Sequence, residues 1–381
     1  MKHKKSDRIA HVFSRVPNIR SYVEDFFWKL PSTMIGLEIE MEGTLNPISE
    51  LGSNYTILWE QKEDSSLRVV DEYNPFEIIF KVPLSGKDLS EAINQYEIGL
   101  QKLKTPPVWG ERTSIHVHLD VRECTLKQLF NILVYYTIFE APLFKFAGPL
   151  RSTNIFCLPF ASAEGRIFEG LSEGNLYYDD HLSKLTSESL RYSALSLYSL
   201  KKYGSLEFRH LAGTSDVQKI RTWINIIMCL KKIALTNSIK EIPTHFSENG
   251  ILKVTEEIFG ELTPALLYPE FNMDVLRGIR QSQDLLYSDN FKGIPPSQDL
   301  VALPEALEKF IESKKLLVDR DIPQFYIGPQ QGVTIAKVGP GLDSIEVVPN
   351  WWPAEDTGVI SNSIKFKIIK EKAILHLVGE V

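Results

Sequence analysis

The 381 residues carry a formal net charge of -7, with 43% hydrophobic and 24% charged side chains, a composition that excludes a disordered or fibrous chain. The acidic balance argues against a general basic field, so no nucleic-acid partner is expected, and no apolar run reaches the roughly 20 residues of a membrane span, so no membrane partner is expected either. Three cysteines without a Cys-x-x-Cys pair indicate neither a disulfide framework nor a zinc finger; with no stretch of signal-peptide type, this predicts buried thiols in a reducing, cytoplasmic setting.

At about 100–200 residues per domain the length suggests two domains or three. The boundaries are drawn as 1–33, an N-terminal helical extension; 34–289, the catalytic domain; and 290–381, a linker with a small C-terminal helix and β region. Tyr22, Phe26 and Phe27 have helical spacing and predict a helix over 19–28. From Met34 to Glu42 the chain alternates, with Leu37, Ile39 and Met41 on one face and Glu38, Glu40 and Glu42 on the other, the period of a β-strand. Glu42 is assigned to the rim. A second strand is predicted over 55–60, followed by a dense polar turn, Lys62 to Arg68, that could set Asp64, Ser66 or Arg68 beside the sheet.

Phe76, Ile78 and Phe80 oppose Glu77 in a third strand, and Asp88 or Ser90 would cap a helix running to Leu103. Thr113 to Val121 alternates again, with Ile115, Val117 and Leu119 on one side and His116, His118 and Asp120 on the other. Thr125 reads as the N-cap of a long apolar helix through Phe144. The connection from 148 to 187 has the length of a functional loop or lid. Residues 191–200 and 205–211 read as a hairpin closed around Lys201 to Gly204, with Glu207 and Arg209 on its second strand, and Asp216 caps a helix to Leu235. Amphipathic helices follow over 251–262, 273–287 and 304–317, with a linker at 290–304, and the last sixty residues read as short strands.

Counting one face of each strand, a single sheet would present Glu38, Glu40, Glu77, His116, His118, Glu207 and Arg209. Carboxylates about 4 Å apart repel by about 4 kcal/mol per pair at an effective dielectric of 20, so such a face needs a counter-charge. Carboxylate oxygens with one or two imidazoles favour magnesium or manganese, and ions so held suit nucleotide phosphates. The chain has neither a GxxxxGK[ST] loop nor a GxGxxG after a strand, so any nucleotide cradle would be the sheet itself. For each strand alone the ordinary alternative stands: a solvated acidic face, a structural histidine, a cross-strand ion pair.

In order, Gly36-Leu37-Glu38-Ile39-Glu40, Asp64-Ser65-Ser66-Leu67, Glu77 before Pro83-Leu84-Ser85-Gly86, His116-Val117-His118, and Gly204-Ser205-Leu206-Glu207-Phe208-Arg209 resemble the amidoligase family, related to glutamine synthetase and glutamate-cysteine ligase. The resemblance spans about residues 34–235. It implies an α+β fold, a curved antiparallel sheet of the glutamine synthetase catalytic type with helices on one face, here with a small β-rich C-terminal appendage. It also implies ATP and Mg2+, or Mn2+, as cofactors. Carried over, Glu38, Glu40, Glu77 and Glu207 are metal ligands and His116 a metal ligand or phosphate contact; His118 and Arg209 act at the transferred phosphoryl group, and a nearby carboxylate such as Asp64 would accept the amine proton. Arg68, Arg151, Arg191 and Ser196 would contact substrate or phosphate. Family members carry a glycine just ahead of the His-x-His strand and an asparagine before the Glu-x-Arg strand; Ser114-Ile115 and Ser196 stand in those places here.

The activity implied is an ATP-dependent ligase joining a carboxylate and an amine, with an amino acid, peptide or amine as substrates, and it is compatible with a homo-oligomer. Two other readings are kept: a zinc hydrolase built on His116 and His118, and a non-catalytic binding protein that retains the fold.

Overall fold

Each predicted alternation in the first 240 residues becomes a strand of one sheet. A computed structural model describes residues 3–13, 27–51, 57–148, 150–160, 179–236 and 242–287, and six strands between 299 and 380. The chain divides into one unit of residues 1–239 and 255–290 and a second of 240–254 and 291–381.

In the first unit the strands are β1 (Ile35–Met41), β2 (Trp59–Lys62), β3 (Phe76–Phe80), β4 (Ser114–Asp120), β5 (Leu195–Ser196) and β6 (Ser205–Ala212). They form an open antiparallel sheet in the order β2-β3-β1-β4-β6-β5, so the fold is α+β. β2 begins at Trp59, later than the sequence predicts, where the indole packs 4.5 Å from the Phe80 ring. Of the strand predicted over 191–200 only Leu195–Ser196 forms, and the chain reaches β6 through a helical turn, Ser199–Tyr203, that ends on Gly204 at φ 68°.

The main helices are α1 (Gly86–Lys102), α2 (Leu126–Ala147), α3 (Val217–Thr236) and α4 (Phe271–Tyr287). α1 starts ahead of Asp88 and Ser90, on Ser85, whose side chain makes no cap bond. α2 has the predicted cap: Thr125 and Gln128 exchange side-chain and backbone bonds in a capping box. Asp216 Oδ1 likewise accepts from Lys219 N at the start of α3. α2 is long and apolar enough to cross a membrane, but 83% of its apolar window is buried inside the protein. Its Tyr136 and α3's Trp223 both meet Phe208 of β6, and Trp59 Nε1 donates to Ala92 O of α1, so these helices cover the apolar face of the sheet. α4 approaches α2 closely at Gly278, where a Cβ would fall 2.2 Å from Ile138 O. Cys124, Cys157 and Cys229 are buried free thiols.

Of the N-terminal extension, a single helical turn, Ile9–Val12, is bonded to the loop before α2 through Ile9 N to Cys124 O. The helix predicted over 19–28 lies outside the described residues except for Phe27 and Trp28, which sit in a turn.

The second unit holds an antiparallel sheet of its own, formed by Asp299–Leu300, Phe325–Tyr326, Val333–Val338, Ser344–Pro349, Ile364–Ile369 and Ile374–Glu380. The helix predicted over 304–317 and most of the 290–304 linker lie outside the described residues.

Candidate functional site

Register decides what the polar face can do. Glu40 stands opposite Glu77, Glu38 opposite His116, and His118 opposite Glu207. Opposite His118 on β1 is Gly36, where a Cβ would come within 3.1 Å of the histidine Cβ; glycine leaves the imidazole its space. Between the pairs Ile115–Leu211 and Val117–Phe208, one residue of β4 faces two of β6, a β-bulge. The bulge leaves Arg209 with Glu207, to which it donates a hydrogen bond, and turns His210 to the helices, against Tyr136, Phe144 and Trp223.

Hydrogen bonds knit the polar face together. Glu38 meets both imidazoles, Oε2 at 3.1 Å from His116 Nδ1 and Oε1 at 3.2 Å from His118 Nε2. Ser114 Oγ donates to Glu40 Oε2 at 2.5 Å and lies 2.8 Å from His116 Nε2. Ser199 Oγ donates to Glu207 Oε2 at 2.9 Å, and Ser205 Oγ lies 3.1 Å from His118 Nδ1. Glu38, His118 and Glu207 each offer one ligand atom, all within 4.8 Å of one another.

Burial works to raise the Glu38 carboxyl, but the charge of His118 and hydrogen bonds from both histidines hold it well below the usual range. Burial likewise opposes, and Arg209 and His118 outweigh it, at Glu207, which is also lowered. At His118 burial favours the neutral ring, yet Glu38 pulls its pKa up. Glu77 behaves in the opposite way: burial, then the negative charges of Glu38, Asp64 and Glu40, push it to about 7. A carboxyl so crowded by carboxylates fits a site completed by a cation.

The remaining predicted residues differ in placement. Asp64 accepts from Ser66 N in a local turn at 2.8 Å, close enough for its charge to act on Glu77. Arg68 is exposed, and its backbone N–H donates to Glu42 Oε1 at 2.7 Å. Glu42 is therefore no rim residue: it is buried and anchors the polar turn. Arg151 is buried, donating from Nε to His210 O at 2.9 Å and from Nη2 to Arg209 O at 2.7 Å, so it braces the bulge that aims Arg209. Arg191 pairs with Glu188 at 3.2 Å and lies over the Tyr192 ring, which the Arg209 guanidinium and the Phe156 ring also approach. Ser196 is fully buried opposite Glu207, with no partner for its hydroxyl among the described residues.

Two clefts flank this row. One, of about 340 Å³, is lined by Gly36, Glu38, Lys81, His118 and Tyr203 where β4 ends. The other, of about 640 Å³, is lined by Arg68, Trp109, Arg112, Arg151 and Phe156 where β4 begins.

No family model matches this chain, and no curated protein matches it.

Residue parity along β4 could have added Ser114 to the face of His116 and His118. Ser199, Ser205 and the Phe156 carbonyl, which accepts from Arg209 Nε at 3.1 Å, carry no sequence signal, because loop geometry brings them in.

Proposed function

We propose that this chain is an ATP-dependent carboxylate-amine ligase of the amidoligase kind, with a sheet of the glutamine synthetase type and a β-rich C-terminal appendage, working in the cytoplasm. The observation that carries this reading is the convergence of Glu38, Glu40, Glu77, His116, His118 and Glu207 from four neighbouring strands beside Arg209. An oxygen-rich set with imidazole suits a hard divalent cation. Glu38, Glu40, Glu77, Glu207 and His116 would hold Mg2+ or Mn2+, which supplies neutralising charge for phosphoryl oxygens when bound.

The chain's own residues account for the rest. Arg209, fixed by Glu207, the Phe156 carbonyl and the bulge behind it, directs a guanidinium suited to phosphoryl oxygens. His118, whose pKa Glu38 raises against the effect of burial, would face the negative charge that gathers on the phosphoryl group. A substrate carboxylate oxygen attacks the γ-phosphorus of ATP; the bond to the bridging oxygen breaks and ADP leaves. The amine nitrogen then attacks the acyl phosphate carbon, the C–O bond to phosphate breaks, and Asp64 accepts the amine proton.

The test is phosphate release from ATP with Mg2+ and a panel of amino acids, peptides and polyamines, using Glu40→Gln as control. Release that depends on an amine and a carboxylate and is lost in the variant supports the reading; no release above the control defeats it. The compact Glu38–His118–Glu207 triad also favours a second reading, a single-zinc hydrolase. That reading requires ATP-independent turnover and one tightly bound zinc by elemental analysis.

A further inference from the structure

We propose that the larger cleft, at the Trp109–Arg112 end of the sheet, binds an anion carried on an apolar body. It rests on the ligase reading only in naming that molecule as the carboxylate substrate. Its charges are unbalanced: Arg68, Arg112 and Arg151 face a single acid, Glu111. Arg68 and Arg112 are both exposed, and Arg112 spends one N–H on Ser66 O at 2.7 Å, which holds it to the polar turn. The smaller cleft has a lesser excess, since Lys62, Lys81, Arg122 and His118, the last bonded to Glu38, stand there among Glu38, Glu60 and Asp120. Selection for an anionic ligand therefore falls to the larger cleft.

Its other wall is apolar and in water. Leu150 is 64% exposed and Ile155 67%, and both line this cleft with Trp109 and Phe156. Trp109 is set in place: its Nε1 donates to Ser215 Oγ at 2.9 Å, and its ring edge lies where a Cβ on Gly213 would come within 2.5 Å. Exposed aliphatic side chains beside a fixed indole and free guanidinium charge match a ligand with both an apolar part and a negative one. A small hydrophilic dicarboxylate would leave Leu150 and Ile155 uncovered.

The experiment is calorimetric titration of the full chain, without nucleotide, with N-acetyl-L-leucine, N-acetyl-L-leucinamide and acetate. N-acetyl-L-leucine is expected to bind at least tenfold tighter than either of the others. Leu150→Asp, at an exposed position, should weaken it at least tenfold with the melting temperature unchanged, and Arg68→Gln should weaken it while leaving the leucinamide unaffected. Equal binding of N-acetyl-L-leucine and acetate, or indifference to Leu150→Asp, overturns the proposal. Mg2+-ATP is titrated separately on the same protein. Should nucleotide fail to bind while N-acetyl-L-leucine behaves as expected, the ligase reading falls and the cleft assignment stands; the reverse pattern removes the cleft assignment alone.

Discussion

Glu40 and Glu77 stand directly opposite each other on neighbouring antiparallel strands. Like charges across a strand pair are destabilising, and burial, joined by the charges of Glu38, Asp64 and Glu40, raises the Glu77 carboxyl to about 7. A folded pKa above the unfolded value means that the native state holds the proton more tightly. The stability this adds is fully present below the ordinary carboxyl range, about 4.3, and is lost as pH rises through 7. Without divalent metal, the melting temperature should therefore fall from pH 5.5 to 8, and added Mg2+ should restore more of it at pH 8 than at 5.5. Glu77→Gln should flatten the metal-free profile and abolish most of the Mg2+ response.

Ser114 joins Glu40 to His116. Replacing it with alanine removes one hydroxyl, so stability should change by only about 1 kcal/mol. The Glu40 carboxylate would lose its orientation, and Mg2+ or Mn2+ affinity should fall by about 10–100-fold, as it does when groups behind metal ligands are removed. Titration of Mn2+ followed by electron paramagnetic resonance reads this directly; unchanged affinity would place the ion away from Glu40.

Arg151 donates to two bulge carbonyls in a buried position. Arg151→Met leaves both acceptors without those donors and should cost about 2–4 kcal/mol in urea unfolding. Arg151→Lys should recover part of that cost. A stability loss below 1 kcal/mol would show that the bulge does not depend on the guanidinium.

His210, by contrast, is kept neutral. Burial, reinforced by the charge of Arg151, pushes its pKa down to about 3 from an ordinary 6.5. The unfolded chain binds the extra proton between these values, so stability is present above pH 6.5 and drains as pH falls, by about 1.4 kcal/mol per pH unit from this site alone. In an acid unfolding series the His210→Gln protein should have lower stability at pH 7 and a shallower decline toward pH 4.

Gly278 tests packing without touching the polar face. In a helix, glycine to alanine ordinarily gains about 1 kcal/mol, but here the added Cβ would strike the Ile138 backbone. The clash should win, and Gly278→Ala should be destabilised by about 1–3 kcal/mol. Thermal unfolding settles the sign.

Much of the sheet was legible because one physical rule wrote it: with a buried face, a strand must alternate, and Glu38, Glu40, Glu77, His116, His118 and Glu207 fall on the polar side by parity alone. Capping was legible at Thr125 and Asp216, where the side chain that bonds the helix start is also the sequence signal. What escaped depends on contacts between distant residues. Arg151 reads as a free cation until the chain brings it under the β6 carbonyls, and Glu42 reads as solvated until the Arg68 N–H closes over it. Neither cleft could be foreseen, because each is assembled from loops far apart in sequence.

The extra residue in β6 also makes that strand sensitive to length in a way that it is not sensitive to composition. Removing one residue between Phe208 and Leu211 would restore plain alternation with Leu211 still opposite Ile115, but it would take away either the Arg209 guanidinium or the buried His210, because only the bulge lets the strand hold both. Many replacements along this strand would be absorbed locally; a single-codon deletion would keep the flanking register and still remove one of the two carbonyls that Arg151 holds.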